Sequence, residues 1–177
     1  MIKITVKGLE NVIGDFKEKK SSIKKQVKDE LVLTAYDIQA EAKMNVQANS
    51  SYMGNLANSI EIDTTNDMEV SVFAKAEYAA FIEFGTRKFA EREVAKLPQS
   101  WQKEAARFKN KKSKDTFKDF VRKLTEWARV TKKIDPENAY NAAKRIMVEG
   151  IQARPYLYPA FNNNYPKLIK RLKEILK

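Results

Sequence analysis

A chain of 177 residues, 43% of them hydrophobic, is long enough to bury a core as one domain of ordinary size. It has no cysteine and no histidine, which excludes disulfides, thiolate chemistry and Cys-based zinc sites and removes the commonest general base and transition-metal ligand. The formal charge of +11 is unevenly placed: residues 87–133 carry 16 basic and 6 acidic side chains, while residues 47–86 carry 1 and 6.

Residues 2–7 alternate Ile2, Ile4 and Val6 with Lys3, Thr5 and Lys7, the pattern of a half-buried strand stopped by Gly8. The period then changes. Ile23, Val27, Leu31, Thr34 with Ala35, Ile38, Ala42 and Val46 recur every three to four residues and place an apolar stripe along one long helix. Continuous from Leu9 to Val46 it would span on the order of 55 Å, with Ser21-Ser22 as the natural break, because both hydroxyls compete for backbone hydrogen bonds. A polar loop over 48–55 leads to two strands, Ser59–Asp63 and Val70–Phe73, joined by a turn at 64–67. Residues 77–84 read as a short helical turn ended by Gly85.

The next stretch is cationic and helical. Pro98 divides a first weak helical segment, and the charge run 109–114 reads as a solvated linker. Phe117, Phe120, Val121, Leu124, Trp127 and Ala128 share one helical face. Asp135 and Pro136 have the chemistry of an N-cap and first helical position for a helix that stops at Gly150. Ile151–Tyr158 reads as extended, since Pro155 and Pro159 disfavour helix in the residues before them. The chain ends in a helix bearing Leu168, Ile169, Leu172, Ile175 and Leu176, with Pro166 expected only near its start.

No apolar run approaches the roughly 18 residues of a membrane span, and the alternating start lacks the apolar block of a signal peptide. With a mean hydropathy of −0.58, the expectation is a soluble protein made in a cytoplasm, with no membrane contact. For catalysis the candidates are thin. Asp63, Asp67 and Glu69 cluster around one turn, but turns favour aspartate for local hydrogen bonding, and no second carboxylate or metal-holding loop accompanies them. The expectation is no enzyme, no cofactor and no metal.

Two signatures stand out instead: Tyr78-Ala79-Ala80-Phe81-Ile82-Glu83-Phe84-Gly85-Thr86 and Ala153-Arg154-Pro155-Tyr156-Leu157-Tyr158-Pro159-Ala160. Both mix aromatic residues with backbone punctuation, as expected where packing and chain direction matter more than reactivity. Glu83 to Thr86 has two readings: a subunit contact, or a helix end in which Gly85 permits the turn and Phe84 fills the core. Arg154 on a stiff extended segment is expected to pair near Glu83. The aromatic residues are read as core or interface packing rather than as a stacking platform for bases.

With Gly54-Asn55-Leu56-Ala57-Asn58-Ser59-Ile60, these signatures resemble the HK97 gp10-like tail-component proteins of tailed bacteriophages and prophages. Members run from a long N-terminal helix into Gly-x-Leu-x-x-Ser-Ile, a Tyr-Ala pair, a Glu-x-Gly-Thr turn and an Ala-Arg-Pro-aromatic-Leu-x-Pro-Ala close. The resemblance covers roughly residues 20–86 and 150–177. Met53 stands where the family usually has threonine, and residues 87–149 are inserted where compact members have a short loop.

The resemblance implies an α+β fold: a small antiparallel sheet packed by a long N-terminal helix and a C-terminal helix, in one domain of residues 1–177 with a helical insertion at about 87–149. It implies a virion protein of the neck, acting in tail completion or head–tail joining. Such proteins form a ring, commonly of six copies, and meet the head connector or stopper and the tail tube or tail terminator. Gly54, Leu56, Ser59, Ile60, Tyr78, Glu83, Gly85, Thr86, Arg154, Pro155, Tyr156 and Pro159 are the expected interface or structural motif residues. Lys109, Lys111, Lys112 and Lys114 are candidates for contact with a polyanion such as passing DNA, bound without sequence preference. The alternatives are a tail terminator and a basic nucleic-acid-binding accessory protein. Loops 48–55 and 109–116 are expected to order on docking.

Overall fold

The frame of the protein is one long helix, α1 (Ser21–Asn49), about 43 Å in length at the usual rise. In the computed structural model, residues 2–5, 21–49, 54–66, 69–108, 116–132 and 134–175 are described. Val6 to Gly8, the expected helical residues before Ser21, and most of the 109–116 loop lie outside them. The chain divides into two compact units, residues 1–79 with 155–177, and residues 80–154.

In the first unit, the α1 stripe read from sequence is the buried one: Val27, Leu31, Ala35, Ile38, Ala42 and Val46 are all buried. A single turn, α2 (Gly54–Asn58), delivers the chain into an antiparallel sheet of β1 (Ile2–Thr5), β2 (Ile60–Asn66) and β3 (Glu69–Ala74). The spatial order is β1-β3-β2. Ile60 lies opposite Ala74 and Ile62 opposite Val72, so directly paired residues share a face. Val70, Val72 and Ala74 are buried from β3, and β2 and β3 both touch α1. Beyond Asp63 the register slips and β2 becomes exposed. The turn expected at 64–67 begins later than that, because β2 runs on through Thr64, Thr65 and Asn66; residues 67 and 68 lie outside the described residues.

The C-terminal helix, α8 (Leu157–Ile175), packs along α1. Leu157, Ala160, Leu168 and Leu172 supply its apolar contact, and the buried Asn164 sits in the same stripe. Asn163 and Asn164 each donate to the Glu41 carboxylate, at 2.6 and 2.7 Å, and Arg171 approaches Glu30 at 3.4 Å and Asp37 at 3.6 Å. These polar links fix the register of the two helices along their seam. Two expectations are corrected here. Tyr156 to Tyr158 is not extended, because helix begins at Leu157; Pro159 falls in the first turn, where no intrahelical N–H is required. Pro166 lies in mid-helix rather than near a start, and the buried stripe on both sides of it carries α8 through the missing hydrogen bond.

The described secondary-structure elements of the second unit are all helices. It contains most of α3 (Ala79–Phe84), then α4 (Arg87–Val94), α5 (Gln99–Ala106), α6 (Phe117–Thr131) and α7 (Ala139–Glu149). Pro98 separates α4 from α5. A reciprocal capping box starts α6: the Asp119 backbone N–H donates to the Thr116 hydroxyl, and the Thr116 N–H donates to the Asp119 carboxylate. Asp135 caps a 3-10 turn at Pro136–Asn138 that leads into α7. Burial is sparse. Phe84, Trp101, Ala105, Ala128, Ala139 and Ala143 are buried, whereas the Phe117-to-Trp127 face of α6 is only half covered, with Phe117 more exposed still.

Candidate assembly site

The two signatures, far apart in sequence, meet backbone to backbone. Helix α3 ends at Phe84, and Gly85 turns the chain with φ +73°. A Cβ at Gly85 would lie 2.8 Å from both the Ala153 nitrogen and the Ile151 carbonyl oxygen, so no side chain fits. Thr86 is extended and clamps the facing segment at two points. Its N–H donates to the Ile151 carbonyl at 2.9 Å, and its hydroxyl accepts from the Ile151 N–H at 2.7 Å. The Arg154 N–H donates to the Ile82 carbonyl at 2.8 Å, closing the other side of the turn.

Gly150 completes the clamp. It ends α7 at φ +95°, and a Cβ there would lie 2.2 Å from the Thr86 carbonyl oxygen. Its role as a helix stop was legible in the sequence, whereas its contact with Thr86 was not, since nothing local marks the opposing segment. Within this unit Phe84 packs edge-on to Trp101, with ring centroids 6.1 Å apart. Glu83 is 2% exposed and Arg154 is exposed.

The remaining motif residues are placed by the first unit. Leu56 and Ile60 are core residues. Ser59 donates its hydroxyl to the Leu56 carbonyl at 2.8 Å, and Gln39 on α1 donates to the Ile60 carbonyl at 2.7 Å. These bonds tie the Gly54-to-Ile60 turn to the long helix. Tyr156 is fully buried, and its backbone carbonyl accepts from Asn45 at 3.1 Å. Pro155 is half-buried, Pro159 lies in the first turn of α8, and Tyr78 is 41% exposed just before α3. The second signature therefore serves both units: its start closes the glycine clamp and its remainder packs into the α1–α8 core.

Lys109, Lys111, Lys112 and Lys114 lie outside the described residues. Among the described residues of the second unit the cationic surface is partly neutralised, since Arg92, Lys96, Arg107, Arg122 and Arg145 each pair with an acid up to four residues away, at 2.8 to 3.3 Å. Asp119 is held below the ordinary carboxylate range by its hydrogen bonds from Thr116, and Glu149 is held down chiefly by Arg145. The Asp63 carboxylate accepts from the Thr65 N–H and hydroxyl, the local bonding of a turn residue. Asp67 lies outside the described residues. Among the described residues no group of three or more Asp or Glu could hold a metal ion, and no helix is long and apolar enough to cross a membrane.

A backbone clamp built on two glycines fixes the direction in which the chain leaves α3. Residues 10–85 match the HK97-gp10-like family model, described as "Bacteriophage HK97-gp10, putative tail-component". Over that stretch, somewhat under half of the chain, the protein is similar to this family of phage tail components. No curated protein and no solved structure matches the chain. The matched stretch ends at Gly85, on the clamp; the Ala153-to-Ala160 signature lies beyond it.

Proposed function

We propose that this tail component acts in the neck of a tailed bacteriophage or prophage, as a ring-forming protein of tail completion that joins the tail tube to the head connector. The observation that carries the reading is the family match over the α1–sheet frame, together with the turn that ends it. Gly85, Thr86 and Gly150 hold that turn by backbone contact, so the chain leaves α3 in one direction in every copy. Repeated copies with one fixed geometry are what a closed ring requires. The reading takes six copies, a head connector or stopper on one side and the tail tube or terminator on the other, as the resemblance implies.

The chemistry is geometric rather than catalytic. Glu83 sits buried beside the clamp, and Arg154, whose backbone is bonded to Ile82, is the cation we pair with it. The basic second unit favours weak, sequence-blind contact with DNA passing through the neck, screened by salt. Electron microscopy of particles from a null mutant tests the reading. Finished tails of normal length that fail to attach to filled heads are the expected result. Tails of unregulated length would assign a terminator instead, and normal particles would remove the neck role.

A further inference from the structure

Helix α6 carries a row of cations on its exposed side. Lys118, Arg122 and Arg129 fall within roughly 40° of one another at helical spacing, and all three are exposed. Lys132, also exposed, caps the same helix at its C-terminal end. Phe120, Leu124 and Trp127 lie on the opposite, half-buried side. The two acids of α6, Asp119 and Glu126, fall beside the row and not in it. Asp119 engages Arg122 at 3.3 Å and leaves that side chain 67% exposed. Lys118, Arg129 and Lys132 form no ion pair among the described residues.

Two of these cations sit where local preference opposes them. Lys118 lies in the first turn, at the positive end of the helix dipole, which disfavours a cation. Lys132 is left-handed at φ +53°, a conformation usual for glycine at a helix end. The dipole favours a cation at that end, but Arg129 in the last turn already supplies one. Sequences keep such local misfits where a function uses the side chain.

We propose that this row is where the protein meets the phosphate backbone of double-stranded DNA. This deepens the neck reading, on which it rests, by naming the surface that passing DNA meets. From Lys118 to Lys132 is about 21 Å at 1.5 Å per residue, and four cations over that length engage about three or four phosphates. No apolar side chain stands between them, and Thr125 spends its hydroxyl on the Val121 carbonyl at 2.9 Å. A row with nothing but charge to offer selects a partner whose charge is dense and regular, and duplex DNA carries about one per 1.7 Å of axis. The contact reads no bases and lets the duplex slide. With a slope near −0.9 per phosphate, raising salt from about 50 to 200 mM weakens it roughly 40- to 150-fold.

Fluorescence anisotropy of two labelled duplexes of unrelated sequence, titrated with full-length protein across that salt range, tests the row. The wild type should bind both equally, with a logarithmic salt slope of about −3. Lys118→Gln, Arg129→Gln and Lys132→Gln together should flatten the slope to about −1 and weaken low-salt binding tenfold or more, with an unchanged circular dichroism spectrum. A control that loses the same charge from the first unit, Lys25→Gln with Lys170→Gln and Lys173→Gln, should bind within about threefold of the wild type. Lys132→Gly separates charge from folding: it should flatten the slope by about 0.9 while raising the melting temperature. A triple variant that loses no more than the control would overturn the row and move DNA contact elsewhere on the protein. A strong preference for one duplex, or tighter binding of polyglutamate than of either, would overturn phosphate tracking in favour of base readout or an acidic protein partner. A wild type that binds neither duplex at low salt would overturn the DNA contact itself, whereas the neck role is decided separately by the particles of the null mutant.

Discussion

Gly85→Ala tests the glycine clamp by adding one carbon. That carbon would lie 2.8 Å from two backbone atoms, the Ala153 nitrogen and the Ile151 oxygen, and neither can rotate away. At φ +73° an L side chain costs about 1–2 kcal/mol before any clash, and forcing the facing segment back costs about 1–2 kcal/mol more, as overpacking does. The expected loss is about 2–4 kcal/mol, which for a chain of this size lowers the melting temperature by roughly 5–15 °C. Both tryptophans, Trp101 and Trp127, lie in residues 80–154, so their fluorescence follows the unit that holds the clamp. Tyrosine and far-ultraviolet signals follow the whole chain. The fluorescence transition should move by the full amount. A Gly85→Ala protein whose tryptophan transition matches the wild type within 1 °C (about 0.3 kcal/mol) would refute the close approach of 85 to 151–153.

Other substitutions separate the parts of the structure. Thr86→Val keeps the shape but removes the hydroxyl that accepts from Ile151, and should cost about 1–2 kcal/mol in urea unfolding. Thr34→Val should do the opposite, adding about 1 kcal/mol, because the Thr34 hydroxyl is buried on α1 with no hydrogen-bond partner among the described residues. Arg154→Ala should lower stability and ring formation, if Glu83 depends on it; a variant that melts and assembles like the wild type would remove that pairing. Asp119 should titrate below the ordinary aspartate value in carbon-detected NMR. Because its folded pKa is depressed, its contribution to the α6 cap is present above the unfolded pKa and lost as pH falls through the folded one. An ordinary midpoint would contradict the capping box.

The elements with one unambiguous period were legible from residues alone. The α1 stripe, the β2–β3 hairpin and the stop at Gly85 rest on local patterning, and each appears in the fold close to its expected bounds. Helix α8 was misread at its start because a proline in a first turn and a proline ending an extended stretch look alike until the N–H groups they lack are placed. Pro166 was misjudged for a related reason: tertiary burial of Leu168 and Leu172 outweighs one lost backbone bond, and burial is not written locally. The meeting of Thr86 with Ile151 depends on a separation of 65 residues, which no pattern within either segment encodes. The Glu41 links to Asn163 and Asn164 are likewise not written locally, since polar residues on a helix face usually signal solvent.

Reconstruction of the head–tail junction by electron cryo-microscopy of intact virions tests the neck assignment most directly. A closed ring of this chain between the tail tube and the head connector is the predicted result. Density for the chain along the tail shaft or at its distal tip, or its absence from the particle, would contradict it.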